Sequence, residues 1–351
     1  MINLKNRINA FVLLGKILVQ AGNSNNHEGD ADSKLFKLEQ AIKDAPHYNG
    51  WFVEKNVSYM LNSLGKSLSK SNIEKWIEPH KKGIEKKGKH HTVGVVMAGN
   101  IPVVGFHDFL SILISGNKIL AKLSSDDNKL LPIIADLLIE IEPAFNEMIE
   151  FTSTRLKNFD AIIATGSNNS SKYFEYYFGK YPNIIRKNRT SVAILNGNET
   201  EQDFKNLGND IFTYYGLGCR NVSKLFVPDN YNFVPFLDAL SEFEYVYINN
   251  KYANNRDYNS SVLLLNKVKH YDNNFLILTE NIGYSAPISV VYFETYSNIE
   301  TVYKRLEIDE EKIQCIVSNI SDNFINFGDA QSPKINDYAD NIDTLEFLLK
   351  L

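Results

Sequence analysis

The sequence predicts an α/β protein: a parallel sheet with helices on both faces, spread over two domains or two closely joined lobes. Two observations carry this. From residue 92 onward, short apolar runs ending in glycine or asparagine alternate with segments of helical period. Strand–helix alternation at this spacing argues for parallel strands joined by crossover helices. The chain also has 351 residues, 44% of them hydrophobic, which is ample for a packed core and long for a single one. It carries no internal repeat and no low-complexity tract.

Residues 1 to about 80 read as mostly helical. Ile8, Phe11, Val12, Leu14, Ile17 and Leu18 form one stripe at helical spacing, and Lys16 interrupts the apolar run. The N-terminal segment is therefore read as an amphipathic helix of the mature chain and not as a signal peptide. A polar stretch at 23–33, Pro46 and Pro79 break the helical pattern. Residues 92–97 form the first strand, bounded by Ala98-Gly99-Asn100. Pro102 suits the first turn of a helix. That helix runs through Phe106, Phe109, Leu110 and Leu113 and stops at Gly116. Residues 118–123 are the second strand and 128–141 the next helix. A third strand at 160–165 ends in Gly166-Ser167, which opens a helix over 168–178. A fourth strand at 191–195 and a fourth helix at 200–214 follow, and Cys315 sits in an alternating run read as a buried strand. The aromatic side chains of Tyr173, Tyr176, Tyr177, Phe178, Tyr214 and Tyr215 are assigned to core.

Composition excludes several functions. The net charge is −5 and no segment has the basic footprint of a nucleic-acid-binding protein. The locally basic run 81–91 reads as a solvated loop. No apolar run reaches the ~18 residues of a membrane span. Two cysteines do not make a disulfide framework, and a reducing cytoplasm fits. His90 and His91 have no cysteine or acidic partner at metal spacing, so no zinc site is expected.

In parallel sheets, ligands bind where the carboxyl ends of strands meet helix N-termini. Gly99-Asn100, Ser124-Ser125 and Gly166-Ser167 fall there. Cys219 follows the fourth strand–helix unit, in Gly216-Leu217-Gly218-Cys219-Arg220-Asn221. A lone cysteine is usually a small buried hydrophobe. A thiolate nucleophile instead needs surroundings that favour the anion, and a glycine pair on one side with arginine on the other offers such a seat. There is no GxGxxG and no glycine–lysine phosphate loop, so a nucleotide would be held by other means.

Four segments, in order, resemble the aldehyde dehydrogenase superfamily. Ala98-Gly99-Asn100-Ile101-Pro102 is similar to its Trp-Asn-Phe-Pro segment. Residues 116–125, Gly-Asn-Lys-Ile-Leu-Ala-Lys-Leu-Ser-Ser, are similar to its Gly-Asn strand ending in Lys-Pro-Ser-Glu. Ala164-Thr165-Gly166-Ser167 is similar to its Phe-Thr-Gly-Ser turn, and Gly216-Leu217-Gly218-Cys219 to its Gly-Gln-x-Cys nucleophile loop. Within the superfamily the acyl-CoA reductase branch, which includes the reductase component of the bacterial luminescence complex, looks nearest. Residues 98–104, 120–125 and 218–220 and the tail from Phe327 favour it.

The resemblance implies an aldehyde dehydrogenase-like fold with two lobes, each with a largely parallel sheet flanked by helices. Residues 1–188 would hold the N-terminal helices and the NAD(P)-binding lobe, 189–318 the catalytic lobe with Cys219, and 319–351 a tail packing back on the body. It implies that Cys219 takes the acyl group from acyl-CoA. The Asn100 side chain and the Cys219 backbone N–H would bind the oxyanion, although Asn100 also suits the N-cap of the following helix. Lys122, Ser124 and Ser125 would face the adenosine ribose, and Gly166 and Ser167 the pyrophosphate. Ser125 stands where the family commonly has a glutamate. A neutral donor there, with Lys122 nearby, favours NADPH over NADH, and Asp126 and Asp127 oppose this. The family often has a second glycine after Gly166-Ser167, which is missing here.

Hydrolytic relatives carry a general-base glutamate in the stretch equivalent to 185–190, Ile-Arg-Lys-Asn-Arg-Thr, which has no acid. Without that base, water is poorly activated. Arg186, Lys187 and Arg189 have two open readings, contacts to CoA or cofactor phosphates or a solvated basic loop. His107 is expected to be structural. Glu280 stands near the place of a late family glutamate but is not assigned. Other readings are an acyl-phosphate reductase, a CoA-acylating aldehyde dehydrogenase, or a non-catalytic scaffold of a fatty-acid-processing complex. A homo-oligomer is left open.

Overall fold

The computed structural model describes residues 2–23 and 34–351; most of the polar stretch read at 23–33 lies outside them. The chain divides into two compact units, Met1–Lys187 with Lys334–Leu351, and Asn188–Pro333. The C-terminal segment is thus shared: 319–333 folds with the second unit and 334–351 with the first.

The first unit opens with helices α1 (Leu4–Gly22), α2 (Lys34–Tyr48), α3 (Glu54–Ser67), α4 (Lys70–Ile77) and α5 (Lys81–Lys86). The Asn3 side chain caps α1 by accepting from the Asn6 N–H at 2.8 Å. Ile8, Phe11, Leu14 and Leu18 are buried, and Val12 and Ile17 pack beside them. The buried Arg7 guanidinium donates to the Ile114 carbonyl at 2.7 Å, the C-terminal end of the helix Phe106–Ile114, where a cation suits the helix dipole. Two expectations change. Pro46 lies inside α2 and does not end it. The basic run begins as helix α5 and not as a loop, with Lys87 Nζ donating to the Leu348 carbonyl at 2.6 Å.

Next come β1 (Thr92–Val96), α6 (Phe106–Ile114), β2 (Lys118–Lys122), α7 (Leu130–Ile141), β3 (Ile149–Thr152), β4 (Ala161–Thr165), α8 (Asn168–Phe178) and β5 (Asn183–Arg186). The five strands are parallel, in the order β3-β2-β1-β4-β5. Gly94 in β1 pairs with Leu120 on one side and Ile162 on the other. The chain winds outward from β1 to β3, then returns to place β4 on the other side of β1. That reversal is a topological switch point at the carboxyl ends of β1 and β4, the place where open α/β sheets bind ligands. Phe11, Phe52, Phe106, Phe109 and Phe145 are fully buried in this unit, each contributing about 1.5–3 kcal/mol of apolar burial.

The last segment of the chain, with α13 (Thr344–Leu349), closes the unit. Trp76 donates its indole N–H to Tyr338 at 2.7 Å, and His80 meets the Asp343 carboxylate at 2.9 Å. The His107 Nε2 lies 2.9 Å from the Ile335 carbonyl, between the rings of Trp76 and Tyr338. Burial lowers its pKa, as suits a structural histidine.

The second unit contains β6 (Thr190–Ile194), α9 (Glu201–Phe212), β7 (Val222–Pro228), α10 (Val234–Ala239), α11 (Asn250–Leu265), β8 (His270–Asp272), β9 (Ile277–Glu280), β10 (Val290–Tyr296), α12 (Ile299–Ile308) and β11 (Ile313–Val317). Its sheet runs β11-β6-β7-β10-β9-β8, parallel except for β8 against β9. Thr200 and Asp203 form a capping box at the start of α9. Cys315 is half-buried and not buried as expected. The reason is topological: β11 is an edge strand, irregular between Ile313 and Ile316.

Candidate active site

Three of the expected segments meet at one end of the first sheet. Gly99, Ser124 and Gly166 follow β1, β2 and β4, which are neighbours. A Cβ on Gly99 would stand 2.6 Å from both Cβ and Oγ of Ser124, so the two loops touch only because Gly99 has none. Lys122 ends β2 half-buried, and its carbonyl accepts from the Met97 N–H at 3.0 Å. Ser124 Oγ accepts from the Asp126 N–H at 3.2 Å, while Asn49 holds the Asp126 carbonyl at 3.1 Å. Ser125 and Asp126 are left exposed.

Asp127 is buried and accepts from the Val103 N–H at 2.6 Å. Val103 has φ 53°, a strained conformation for a β-branched residue. Asp127 thereby ties the 124–127 loop to the turns that follow Asn100. Burial pushes its carboxyl up to about 6, and backbone N–H groups of Val103 and Leu130 work against that rise. Asn100 is exposed. It does not cap the next helix, because α6 starts at Phe106 with Gly105 as its N-cap, and 101–105 are turns.

Ser167 caps α8 by accepting from the Ser170 N–H at 3.2 Å. A Cβ on Gly166 would lie 2.8 Å from the Phe174 ring and 2.9 Å from Ser170 Cβ. The one buried residue of α8 is Ser171, whose hydroxyl donates to the Asn168 carbonyl at 2.9 Å. A small, satisfied side chain thus serves helix–sheet packing without a second glycine. The tyrosines of this helix are not core: Tyr173, Tyr176 and Tyr177 are exposed.

These residues pass a chemical test for a dinucleotide. Two strand ends lack Cβ atoms where a backbone must be approached. Ser125, Ser167 and Lys122 carry polar groups that could reach a ligand, and the N-terminus of α8 follows β4 at the switch point, where the helix dipole favours an anion. Arg186 does not join them. Its guanidinium grips Asp108 through both nitrogens, at 2.6 and 2.9 Å, and both residues are buried. The expectation that it meets a phosphate fails because the cation is consumed inside the fold. Lys187 pairs with Glu175 at 3.0 Å, and Arg189 donates to the Glu310 and Ile313 carbonyls.

Cys219 lies in the second unit, exposed, in the turn before β7. After α9 the backbone takes an unusual path: Tyr214, Tyr215 and Gly216 have φ of 56°, 58° and 78°. Two successive non-glycine residues in the left-handed region hold strain that neighbouring bonds must maintain. Asn221 supplies them. Its amide nitrogen donates to the carbonyls of Asp210, Ile211 and Thr213 at 2.8–3.2 Å, and its oxygen accepts from the Gly218 N–H at 2.8 Å. From β6, the buried Ser191 hydroxyl donates to the Cys219 carbonyl at 3.0 Å, and the Ser191 hydroxyl oxygen lies 2.9 Å from Cys315 Sγ. Cys219 is thus held through its backbone while the residue stays exposed. Asn221 and Ser191 went unrecognised in the sequence; an asparagine two residues after Cys219 is the one local signal. Glu280 is exposed at the end of β9. Among the described residues, no group of three or more His, Cys, Asp or Glu is arranged to hold a metal ion.

Comparison with known proteins bears on this site. No curated protein sequence matches the chain. Solved structures with the same fold include aldehyde dehydrogenase 21 from Physcomitrella patens in complex with succinate, at TM-score 0.61 and 13% identity, covering 92% of this chain and 75% of that one. A mutant of the P. syringae indole-3-acetaldehyde dehydrogenase AldA, in complex with NAD+ and IAA, aligns at TM-score 0.61 and 12% identity over 91% and 72%. A mutant of aldehyde dehydrogenase AldC from Pseudomonas syringae, complexed with NAD+ and octanal, aligns at 0.61 and 8% over 92% and 73%. At such identities the likeness establishes the aldehyde dehydrogenase fold. The family assignment comes from the sequence itself: residues 38–243, more than half the chain, match the family described as acyl-CoA reductase (LuxC). With that match and this fold, the chain belongs to the acyl-CoA reductase (LuxC) family, oxidoreductases of aldehyde chemistry.

Proposed function

We propose that this protein is an NADPH-dependent acyl-CoA reductase that forms an aldehyde through an acyl thioester on Cys219. The observation that carries the proposal is an exposed thiol on a turn whose backbone is fixed by buried side chains, in a chain of the acyl-CoA reductase family. The Cys219 sulfur attacks the thioester carbonyl. The C–S bond to CoA breaks, the CoA thiolate leaves and takes up a proton, and the acyl group stays on Cys219. The Asn100 amide and the Cys219 N–H are the oxyanion donors carried over from the family; losing one such donor typically costs ~10²–10³ in rate.

Lys122, Ser124 and Ser125 would hold the ribose end of the cofactor, and Gly166 and Ser167 its pyrophosphate. When bound, the reduced nicotinamide supplies the hydride that converts the acyl group to an aldehyde. The stretch 185–190 contains no carboxylate, and its Arg186 is paired inward with Asp108. No residue there can activate water as a base, so the acyl thioester is kept for hydride. Ser125 in place of an acid supports NADPH, and exposed Asp126 beside it makes NADH the cofactor to compare.

The test is to mix the protein with radiolabelled acyl-CoA in the absence of NADPH. The expected result is a hydroxylamine-sensitive protein adduct that is absent from Cys219→Ala and is discharged as aldehyde on adding NADPH. Folded wild-type protein that binds acyl-CoA without an adduct would be a scaffold, and the mechanism would fall. An adduct that survives Cys219→Ala would relocate the nucleophile. An adduct formed from acyl phosphate but not from acyl-CoA would change the substrate.

A further inference from the structure

Asp210 is fully buried near the end of α9, and none of the roles above uses it. Its carboxylate accepts two backbone hydrogen bonds from one distant loop: Gly328 N–H to one oxygen at 2.6 Å and Ala330 N–H to the other at 3.0 Å. Its own carbonyl accepts from the Gln331 side chain at 3.3 Å and from Asn221 at 2.9 Å. Arg220, next to Cys219, donates to the Ala330 carbonyl at 2.5 Å. One acid thus joins three elements: the end of α9, the turn that presents Cys219, and the loop 327–331. Gly328 has φ 94°, open only to glycine without strain, and a Cβ there would stand 3.2 Å from Asn206 Cβ.

We propose that Asp210 is a positioning residue for Cys219, and that its ionised carboxylate works by locking the 327–331 loop against the nucleophile turn. Both oxygens are engaged as acceptors, so the role needs a carboxylate. A protonated acid or an amide presents a hydrogen to one of the two N–H groups, and that bond is lost. Asn221 and Arg220 pass the position of α9 and of the loop to the residues on either side of the thiol turn. The charged groups facing Asp210 are Asp329, which opposes ionisation, and Arg220, which favours it. Burial is the larger influence and pushes the carboxyl up to about 7, against the two N–H donors that favour the anion. The lock therefore tightens as pH rises through neutrality.

This inference rests on Cys219 as the nucleophile, and its test separates the two ideas. Iodoacetamide reports on the Cys219 thiol whatever the substrate is; acyl-CoA reports on the proposed chemistry. Asp210→Asn is expected to lower both the alkylation rate of Cys219 and the acylation rate at saturating acyl-CoA by ~10–100-fold, the cost of a misplacement of about 1 Å. Its dissociation constant for NADPH should stay within about twofold of wild type, a split that general unfolding would not give. Gly328→Ala should lower the same two rates with the carboxylate intact. In the wild-type protein, the amide proton shifts of Gly328 and Ala330 should follow a single titration near neutral pH, a readout that holds even if the variant does not fold. Wild-type rates in Asp210→Asn, or amide shifts that do not titrate, would overturn the proposal. If the wild type alkylates but never acylates, the enzymatic reading fails while the alkylation rates still decide the role of Asp210.

Discussion

Replacing Arg186 with methionine separates a structural role from a ligand-binding one. Arg186 and Asp108 are each about 95% removed from solvent, at 5% and 6% relative exposure, and are joined by two hydrogen bonds of 2.6 and 2.9 Å. Arg186 also reaches Thr344 Oγ1 at 3.3 Å, so it ties β5 and α6 to the C-terminal segment. Removing the cation alone leaves the Asp108 carboxylate in the interior without its partner. Breaking such a pair costs about 3–5 kcal/mol. The first unit has roughly 200 residues, for which each kcal/mol moves the midpoint by about 2–4 °C, so its unfolding should fall by roughly 6–20 °C. The double variant Asp108→Leu/Arg186→Met removes both charges and should recover most of that loss, because a buried pair and an apolar replacement are often close in energy. Calorimetry of the two variants beside wild type, with NADPH and acyl-CoA binding measured on each, decides the matter. An Arg186→Met protein with an unchanged midpoint and a raised dissociation constant for either ligand would refute the structural assignment and restore Arg186 as a phosphate contact.

Two further outcomes follow from the first unit. Ser125→Glu should shift the cofactor preference toward NADH, by lowering kcat/KM for NADPH more than for NADH; an unchanged ratio would remove Ser125 from the ribose site. Asp127 has a folded-state pKa of about 6, above its unfolded value of about 3.9. The folded state therefore holds more protons between about pH 4 and 6, and stability falls as pH rises across that window. Asp127→Asn, which cannot ionise, should lose none of this stability between pH 4 and 7, where wild type loses on the order of 2–3 kcal/mol. Urea titrations at pH 4, 5.5 and 7 that ran parallel for the two proteins would contradict it.

Legibility in the sequence varied with the kind of interaction that forms each element. Helix α8 is read with its observed bounds, 168–178, because Ser167 caps it and Gly179 follows it. Strands β1, β2 and β4 are interior and carry unbroken apolar runs. Strands β3 and β5, four residues each, are not legible in the sequence, because these edge strands are short and half-covered and lack such runs. The sequence predicts that α6 starts near Pro102, and it starts at Phe106 because Asp127 holds Val103 in a left-handed turn. The predicted helix 200–214 likewise runs into the left-handed pair Tyr214 and Tyr215, because nothing local marks a non-glycine residue for that region.

Local order along the chain determined the α/β alternation, the strand ends that carry Gly99, Ser124 and Gly166, and the family to which the residues around Asn100 and Cys219 belong. Those features depend on neighbours within a few residues, through side-chain period, caps and glycine stops. Tertiary structure decided which charges remain available. Arg186, legible as a phosphate ligand, is spent on Asp108, 78 residues away. Asp210, unremarkable in the sequence, becomes the anchor of a loop 118 to 120 residues further on. A buried ion pair or a carboxylate bound to two backbone N–H groups leaves no periodic trace, because its partners are chosen by the fold and not by spacing along the chain.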